Sequence, residues 1–287
     1  MLSCVVNLSE GRDRRLVDEI AARAGPYLLD VHSDAEHHRS VLTIAAASAT
    51  ACEQAVAAVV TASFERLSLE RHVGVHPRLG VVDVVPFVPL LAGASAEELA
   101  HADLGEALEA RGRLAAFVAR SFDVPCFLYG AAGEPSLPTI RREAFTTRPP
   151  DLGPSRPHAR LGALCAGARR VLVAYNVVLA GADLFQGREL ARELRSPDVR
   201  SLAFALAAGV QISCNLVAPW RTSPLELVER LEQLSAARHV AIARTELVGL
   251  IPEAILERIP PAAWARLDLD ATRTLEARFR RRLEPAR

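Results

Sequence analysis

Two stretches of this chain run through the same order of local patterns, and that order constrains the fold more than any single residue does. In the first, Leu2–Val6 reads as a short buried strand and Asp13–Ala24 as a helix, with Leu16, Ile20 and Ala24 at helical spacing. Tyr27–Val31 and Val41–Ala46 read as strands, Ala51–Leu67 as a second helix and Val81–Val88 as a strand. In the second, Arg170–Val178 is a strand, Leu184–Leu194 a helix, and Ser201–Leu206 with Val210–Leu216 a hairpin through Gly209. A helix then opens at Pro224, and Val240–Ala243 is a strand. Each half is βαββαβ, the split arrangement of ferredoxin-like sheets, and the spacing predicts an α/β chain of the α+β type built from two such subdomains. The repetition is architectural and has no residue-level counterpart.

Pro149, Pro150, Pro154 and Pro157 crowd the stretch between the halves, with Gly153 among them. Such a segment cannot hold regular ladders, so the domain boundary is expected there, giving domains 1–147 and 158–287. Helix starts are legible elsewhere. Ser95 with Glu98, and Ser223 with Glu226, have capping-box spacing, the second with Pro at the first helical position. Cys126–Tyr129 reads as a strand ending at Gly130, and the Arg-rich tail from Ala262 as a surface helix.

With 287 residues the chain is long enough for two domains, and its formal net charge is zero. That argues against nucleic acid as a partner held by bulk charge. All 34 residues counted as Lys or Arg are Arg. Without Lys there is no Schiff base and no P-loop ammonium, so any anion must be held by Arg, His or backbone N–H groups. The five Cys lie in apolar stretches without CxxC spacing, which predicts reduced, buried thiols and a cytoplasmic chain. No signal peptide is read at the N-terminus, and the apolar run Val171–Gly181 is interrupted at Asn176 and too short to span a bilayer, so no membrane partner is expected.

The segment from Arg71 to Gly80 (RHVGVHPRLG) is a His- and Gly-bearing loop that runs straight into an apolar strand containing Asp83. The strand supplies rigidity and the loop supplies reach. A histidine there can take and give a proton near neutral pH, with Asp30, Asp34 or Asp83 available to orient it. His37 and His38 are adjacent and no HxH or HExxH pattern is present, so no metal is expected. Asn7, Ser9, Glu10 and Gly11 make either an ordinary strand-to-helix turn or a polar ligand clamp. Arg39 and Arg78, each close to a histidine, suggest a carboxylate pocket. Gly153, Pro154 and Ser155 could cap a ligand with backbone N–H groups or simply be linker.

Taken together these motifs resemble the formiminotransferase family. Asn7–Gly11 (NLSEG) is similar to its PNFSEG element, and Leu28–Val31 with Arg39–Val41 to its second strand and the start of its third. His76–Gly80 with Asp83 is similar to HPRMGALDV, and Leu128–Gly130 to the end of its fifth strand. Gly153–Ser155 and Gly162 through Arg169 resemble its folate-contacting segment, and Leu247–Pro252 a late element. The resemblance implies two subdomains with mixed sheets, a groove between them that holds folate, and a homodimer. It implies transfer of a formimino group from N-formimino-L-glutamate to N5 of tetrahydrofolate, the folate being a co-substrate and no metal being needed. The catalytic histidine falls on His76 and its orienting aspartate on Asp30. Substrate contacts are expected at Asn7, Arg39, Arg78, Gly80, Asp83, Gly130, Gly153, Pro154, Ser155, Arg156, Arg160, Leu161 and Gly162. The resemblance covers a transferase portion without a cyclodeaminase domain. Val75 stands where the family has Glu, Leu161 where it has Trp, His32 and His38 where it has Asp and Asn, and Val6 where it has Pro. These departures leave two alternatives: a non-catalytic folate- or small-anion-binding relative, and a one-carbon transferase with another donor.

Overall fold

The computed structural model describes residues 1–90 and 93–283. In chain order the elements begin β1 (Leu2–Leu8), α1 (Arg14–Ala21), β2 (Leu28–Asp34), β3 (Arg39–Ala46), α2 (Ala49–Arg66) and β4 (Val82–Pro89). They continue α3 (Ala96–His101), α4 (Gly105–Phe122), β5 (Cys126–Tyr129), α5 (Leu137–Glu143), β6 (Leu164–Ala168) and β7 (Val173–Ala180). Next come α6 (Leu184–Leu194), β8 (Val199–Leu206), β9 (Gly209–Leu216), α7 (Pro224–Ala236) and β10 (Ala241–Val248). Short helices α8 (Glu253–Leu256) and α9 (Pro261–Trp264) and the longer α10 (Leu275–Leu283) close the described chain. Where the tail from Ala262 reads as one helix, the chain breaks it after Leu267: Asp268 takes a left-handed φ of 52°.

By contact the chain divides into two compact units, Met1–Leu90 with Ala102–Arg169, and Leu91–His101 with Arg170–Arg287. In the first unit the described strands form one sheet in the order β2-β3-β1-β4-β6-β5. β1 lies antiparallel between β3 and β4, the expected ferredoxin-like arrangement, and β6 then adds parallel to β4 and to β5. This places the Pro-rich stretch inside the first unit rather than at the division, which falls after Arg169. The physical reason is β6: it follows the prolines in sequence but is hydrogen-bonded between two strands that precede them. The prolines merely turn the chain, and Leu152 still exchanges backbone hydrogen bonds with Cys126 at 2.9 and 3.2 Å.

One face of this sheet carries the core. Leu2, Cys4, Val6 and Leu8 of β1 alternate with polar or half-buried neighbours, and they pack with Leu42, Ile44 and Ala46 of β3 against α1, α2 and α4. Each such Leu or Ile contributes roughly 1.5–3 kcal/mol by leaving water. Asp13 caps α1 by accepting from Leu16 N at 2.9 Å. On the opposite face α5 packs Ile140 onto Val84, Phe127 and Cys165. That second contact is why β4 is buried along nearly its whole length and reads as a continuous apolar run.

In the second unit the described strands form one sheet in the order β10-β7-β9-β8. Every pairing in it is antiparallel, so the mixed character implied for both subdomains is confined to the first. The topology requires this, because each βαβ crossover skips one strand and leaves an antiparallel neighbour in between. Capping boxes start α6 at Asp183 and Gln186 and α7 at Ser223 and Glu226, and Val177, Leu190, Ile212, Leu227 and Leu231 lie in its core. Among the described residues no helix is long and apolar enough to cross a membrane. All five cysteines are buried and unpaired with one another.

Candidate functional site

The residues that carry chemistry gather on the first unit, around the loop between α2 and β4. That loop has no regular ladder, so its backbone must be satisfied one group at a time. Gly80 bridges Gly162, with Ala163 N donating to Leu79 O at 2.9 Å and Val81 N to Leu161 O at 3.0 Å. A Cβ on Gly80 would lie 2.1 Å from Ala163 O, and one on Gly162, at φ +75°, would lie 2.1 Å from Leu79 O. Ser9 joins from the end of β1, its N donating to Val81 O at 2.7 Å and its Oγ to Gly80 O at 2.8 Å.

Asp83 is the electrostatic centre. It is fully buried, and its Oδ2 accepts from Arg39 Nη1 at 2.7 Å and from Arg141 Nη2 at 2.5 Å. Its Oδ1 accepts from Leu79 N at 2.8 Å. Burial alone would raise its pKa, but Arg39 and Arg141 outweigh it and hold the carboxyl at about 2. Asn7 completes the frame, its Oδ1 accepting from Arg39 Nη2 at 2.9 Å and from Nε at 3.2 Å. Two guanidiniums therefore share one carboxylate oxygen, and the cluster is cationic.

His76 sits half-buried beside this cluster. Its Nδ1 lies 2.7 Å from the Pro77 carbonyl, which can only accept, so Nδ1 carries the hydrogen and the lone pair is on Nε2. The same carbonyl accepts from Arg141 Nη1 at 3.0 Å. Burial, then Arg39 and Arg141, push the His76 pKa down to about 3, with Asp83 and the Pro77 hydrogen bond opposing. The imidazole is therefore neutral across the physiological range.

A second group of rings braces the loop. His38, at a left-handed φ of 49°, places Nδ1 3.0 Å from Val73 O and Nε2 3.1 Å from Glu10 Oε1. Glu10 Oε1 also accepts from the backbone N of Gly11, Arg12 and Asp13, at 2.9, 2.8 and 3.0 Å. Burial opposes ionisation of Glu10, yet the Asp13 and Arg12 amides keep its pKa below the usual range. His72 stacks on His38 at 3.9 Å between centroids, and His37 meets His76 edge to face at 5.9 Å. Burial, then Arg78 and His38, push the His72 pKa down to about 4.

Residues 1–169 match the formiminotransferase domain, N-terminal subdomain. The chain belongs to the formiminotransferase family. It is 36% identical to the glutamate formimidoyltransferase of Thermoplasma acidophilum, with 89% of each chain covered. It is 30% identical to the glutamate formimidoyltransferase of Streptococcus pyogenes, covering 88% of this chain and 89% of that one. It is also 30% identical to the formimidoyltransferase-cyclodeaminase of Rattus norvegicus, where 99% of this chain spans 55% of the relative. As a member of this family the chain is a group-transferring enzyme.

The residues singled out in the sequence take distinct places. His76, Arg39, Asn7, Asp83, Gly80 and Arg78 come together in one cluster. Asp83 is fully buried and serves the two guanidiniums and a backbone amide. Arg78 was expected to hold a carboxylate, and its five N–H groups are already used. Nε donates to His76 O, Nη2 to His76 O and His37 O, and Nη1 to His38 O and a ring nitrogen of His72. Leu161 is a core residue at 3% exposure, packed into the hydrophobic cluster of the first unit. Arg160 Nη1 is held by Leu67 O at 2.7 Å. Gly162 supports the loop as described, and Gly130, at φ +115°, follows β5 where a Cβ would lie 1.9 Å from Ala168 O. Gly153, at φ +84°, packs on Val124 and Pro125 beside the half-buried Pro154, while Ser155 and Arg156 are exposed. Asp30 lies on edge strand β2 opposite Thr43, and Nδ1 of His76 meets the Pro77 carbonyl. The residue that sequence reasoning missed is Arg141. Its signal was Ser136 and Pro138 ahead of an Arg pair: Ser136 caps α5 by accepting from Thr139 N at 3.3 Å. No group of three or more His, Cys, Asp or Glu among the described residues is placed to hold a metal ion.

Proposed function

We propose that the chain transfers a formimino group from N-formimino-L-glutamate to N5 of tetrahydrofolate, with His76 as the proton carrier. The observation that carries this reading is a neutral imidazole, fixed as the Nδ1–H tautomer and set beside two guanidiniums, in a chain whose relatives are named glutamate formimidoyltransferase. N5 of the folate attacks the formimino carbon and loses its proton to Nε2 of His76. The bond between that carbon and the glutamate nitrogen then breaks, and the imidazolium returns the proton to the departing nitrogen. One histidine thus serves as base and then as acid, a role that typically supplies about 10²–10⁴-fold in rate. The remainder comes from holding two substrates together.

The Pro77 carbonyl does for His76 what a carboxylate does in other histidine-based sites: it fixes which nitrogen carries the lone pair. Asp83 keeps the two guanidiniums in place without itself meeting substrate. Purified protein mixed with tetrahydrofolate and N-formimino-L-glutamate should release glutamate, at a rate at least 10²-fold above that of His76→Ala. Release by wild type no faster than by His76→Ala would sink the reading.

A further inference from the structure

The proposed chemistry raises a conflict that the geometry itself resolves. A general base works best when its pKa lies near the operating pH. In the structure His76 stands in surroundings that strongly disfavour its protonated form, because burial and two cations act on it together. Charged and titratable groups around it include Arg39 on β3, Asp83 on β4, Arg141 on α5, His37 in the β2–β3 turn and Arg78 in its own loop. Of these, only Asp83 is an anion, and it is divided between two guanidiniums. A second negative charge would favour the imidazolium when the proton arrives.

Arg39 is largely consumed: Asp83 and Asn7 take Nη1, Nε and Nη2, and the residue is 9% exposed. Arg141 is different. It lies on α5, its side chain is 18% exposed, and Asp83 and the Pro77 carbonyl take one hydrogen from each Nη. Its Nε–H and one further hydrogen on each Nη have no acceptor among the described residues. A guanidinium anchored at one edge and open at the other suits a carboxylate.

We propose that Arg141 is a positioning residue of this reaction: it docks a carboxylate of the substrate and thereby brings a second anion into the surroundings of His76. The inference rests on the formimino-transfer reading for the identity of the carboxylate, which both the glutamate donor and the folate carry. It adds that the base is readied by the substrate it acts on. Before binding, the cationic pair keeps His76 neutral; with the carboxylate on Arg141 the pair is compensated, and the imidazolium formed in the transfer is no longer opposed.

The test follows the His76 ring itself. In histidine-labelled protein, with the His76 signal assigned by His76→Gln, the titration midpoint is measured without and with saturating L-glutamate. In wild type glutamate should raise the midpoint. In Arg141→Gln the midpoint should start higher, because one cation is gone, and glutamate should move it less. The same variant should raise KM for the donor by roughly 10- to 100-fold, the range of a charge-assisted hydrogen bond, and Arg141→Lys should recover part of the loss. Arg142→Gln, next along the helix and paired with Glu143, should leave both readouts unchanged. Far-UV circular dichroism and a melting curve separate a misfolded variant from an informative one. If glutamate leaves the wild-type midpoint where it was, or if folded Arg141→Gln matches wild type in midpoint and KM, the inference is overturned. A wild type that releases no glutamate overturns the formimino reading instead, and the titration still reports on Arg141.

Discussion

At the scale of single residues, the site is organised by a carboxylate that touches no solvent. Asp83 meets Arg39 from 44 positions away in the chain and Arg141 from 58, so one side chain ties β3, β4 and α5 together. Such a pair is costly to desolvate and costlier to break. Asp83→Asn should leave two guanidiniums without their counter-charge and destabilise the protein by about 3–5 kcal/mol, read as a shift in the urea midpoint. A loss below 1 kcal/mol would mean the cluster is not what holds these elements. The acid limit follows from the same residue. With its pKa held at about 2 in the fold against an ordinary value near 3.8, Asp83 stabilises the fold fully above the ordinary value and loses that contribution as pH falls through about 2.

At the scale of elements, the loop from Arg71 to Gly80 is held in place by ties to its neighbours. Gly74 lies against the β2–β3 turn, where a Cβ would stand 2.6 Å from His37 O, and Gly80 lies against Gly162. Gly80→Ala should cost about 1–3 kcal/mol, as overpacking does, and lower activity more than a stability loss alone explains, because the loop carries His76. Comparing the melting temperature with kcat separates the two effects. The loop is also the acid-sensitive element. His72 and His76 are both held neutral, with pKa values of about 4 and about 3. Both contributions to stability are complete above the ordinary histidine value, about 6.5, and drain progressively as pH falls from there toward those two values. Unfolding in urea at pH 7 and pH 5 should therefore show a loss in wild type and a smaller one in His72→Gln; equal losses would clear His72 of the role.

At the scale of the molecule, two units each close around their own core, and the five thiols are distributed through those cores. Burial pushes Cys52, Cys126 and Cys214 up to about 12, and Cys4 and Cys165 upward as well. A thiol reagent at neutral pH should label the native protein slowly and all five positions at once on unfolding. Rapid labelling of any one position would show a local opening that the packing does not predict.

Local order was legible in the residues. The twofold βαββαβ succession, the capping boxes and the strand Cys126–Tyr129 follow from periodicity and turn chemistry, which act over a few residues and leave their mark in adjacent letters. The loop that bears His76 could be singled out for the same reason. What the tertiary structure decided is which groups meet. That β6 enters the first sheet after the prolines, that Arg78 spends its donors on carbonyls, that Leu161 is core and that Arg141 joins the site all depend on contacts between distant segments. A guanidinium reads the same in the sequence whether it is free or saturated; only the fold settles how many of its hydrogens find a partner.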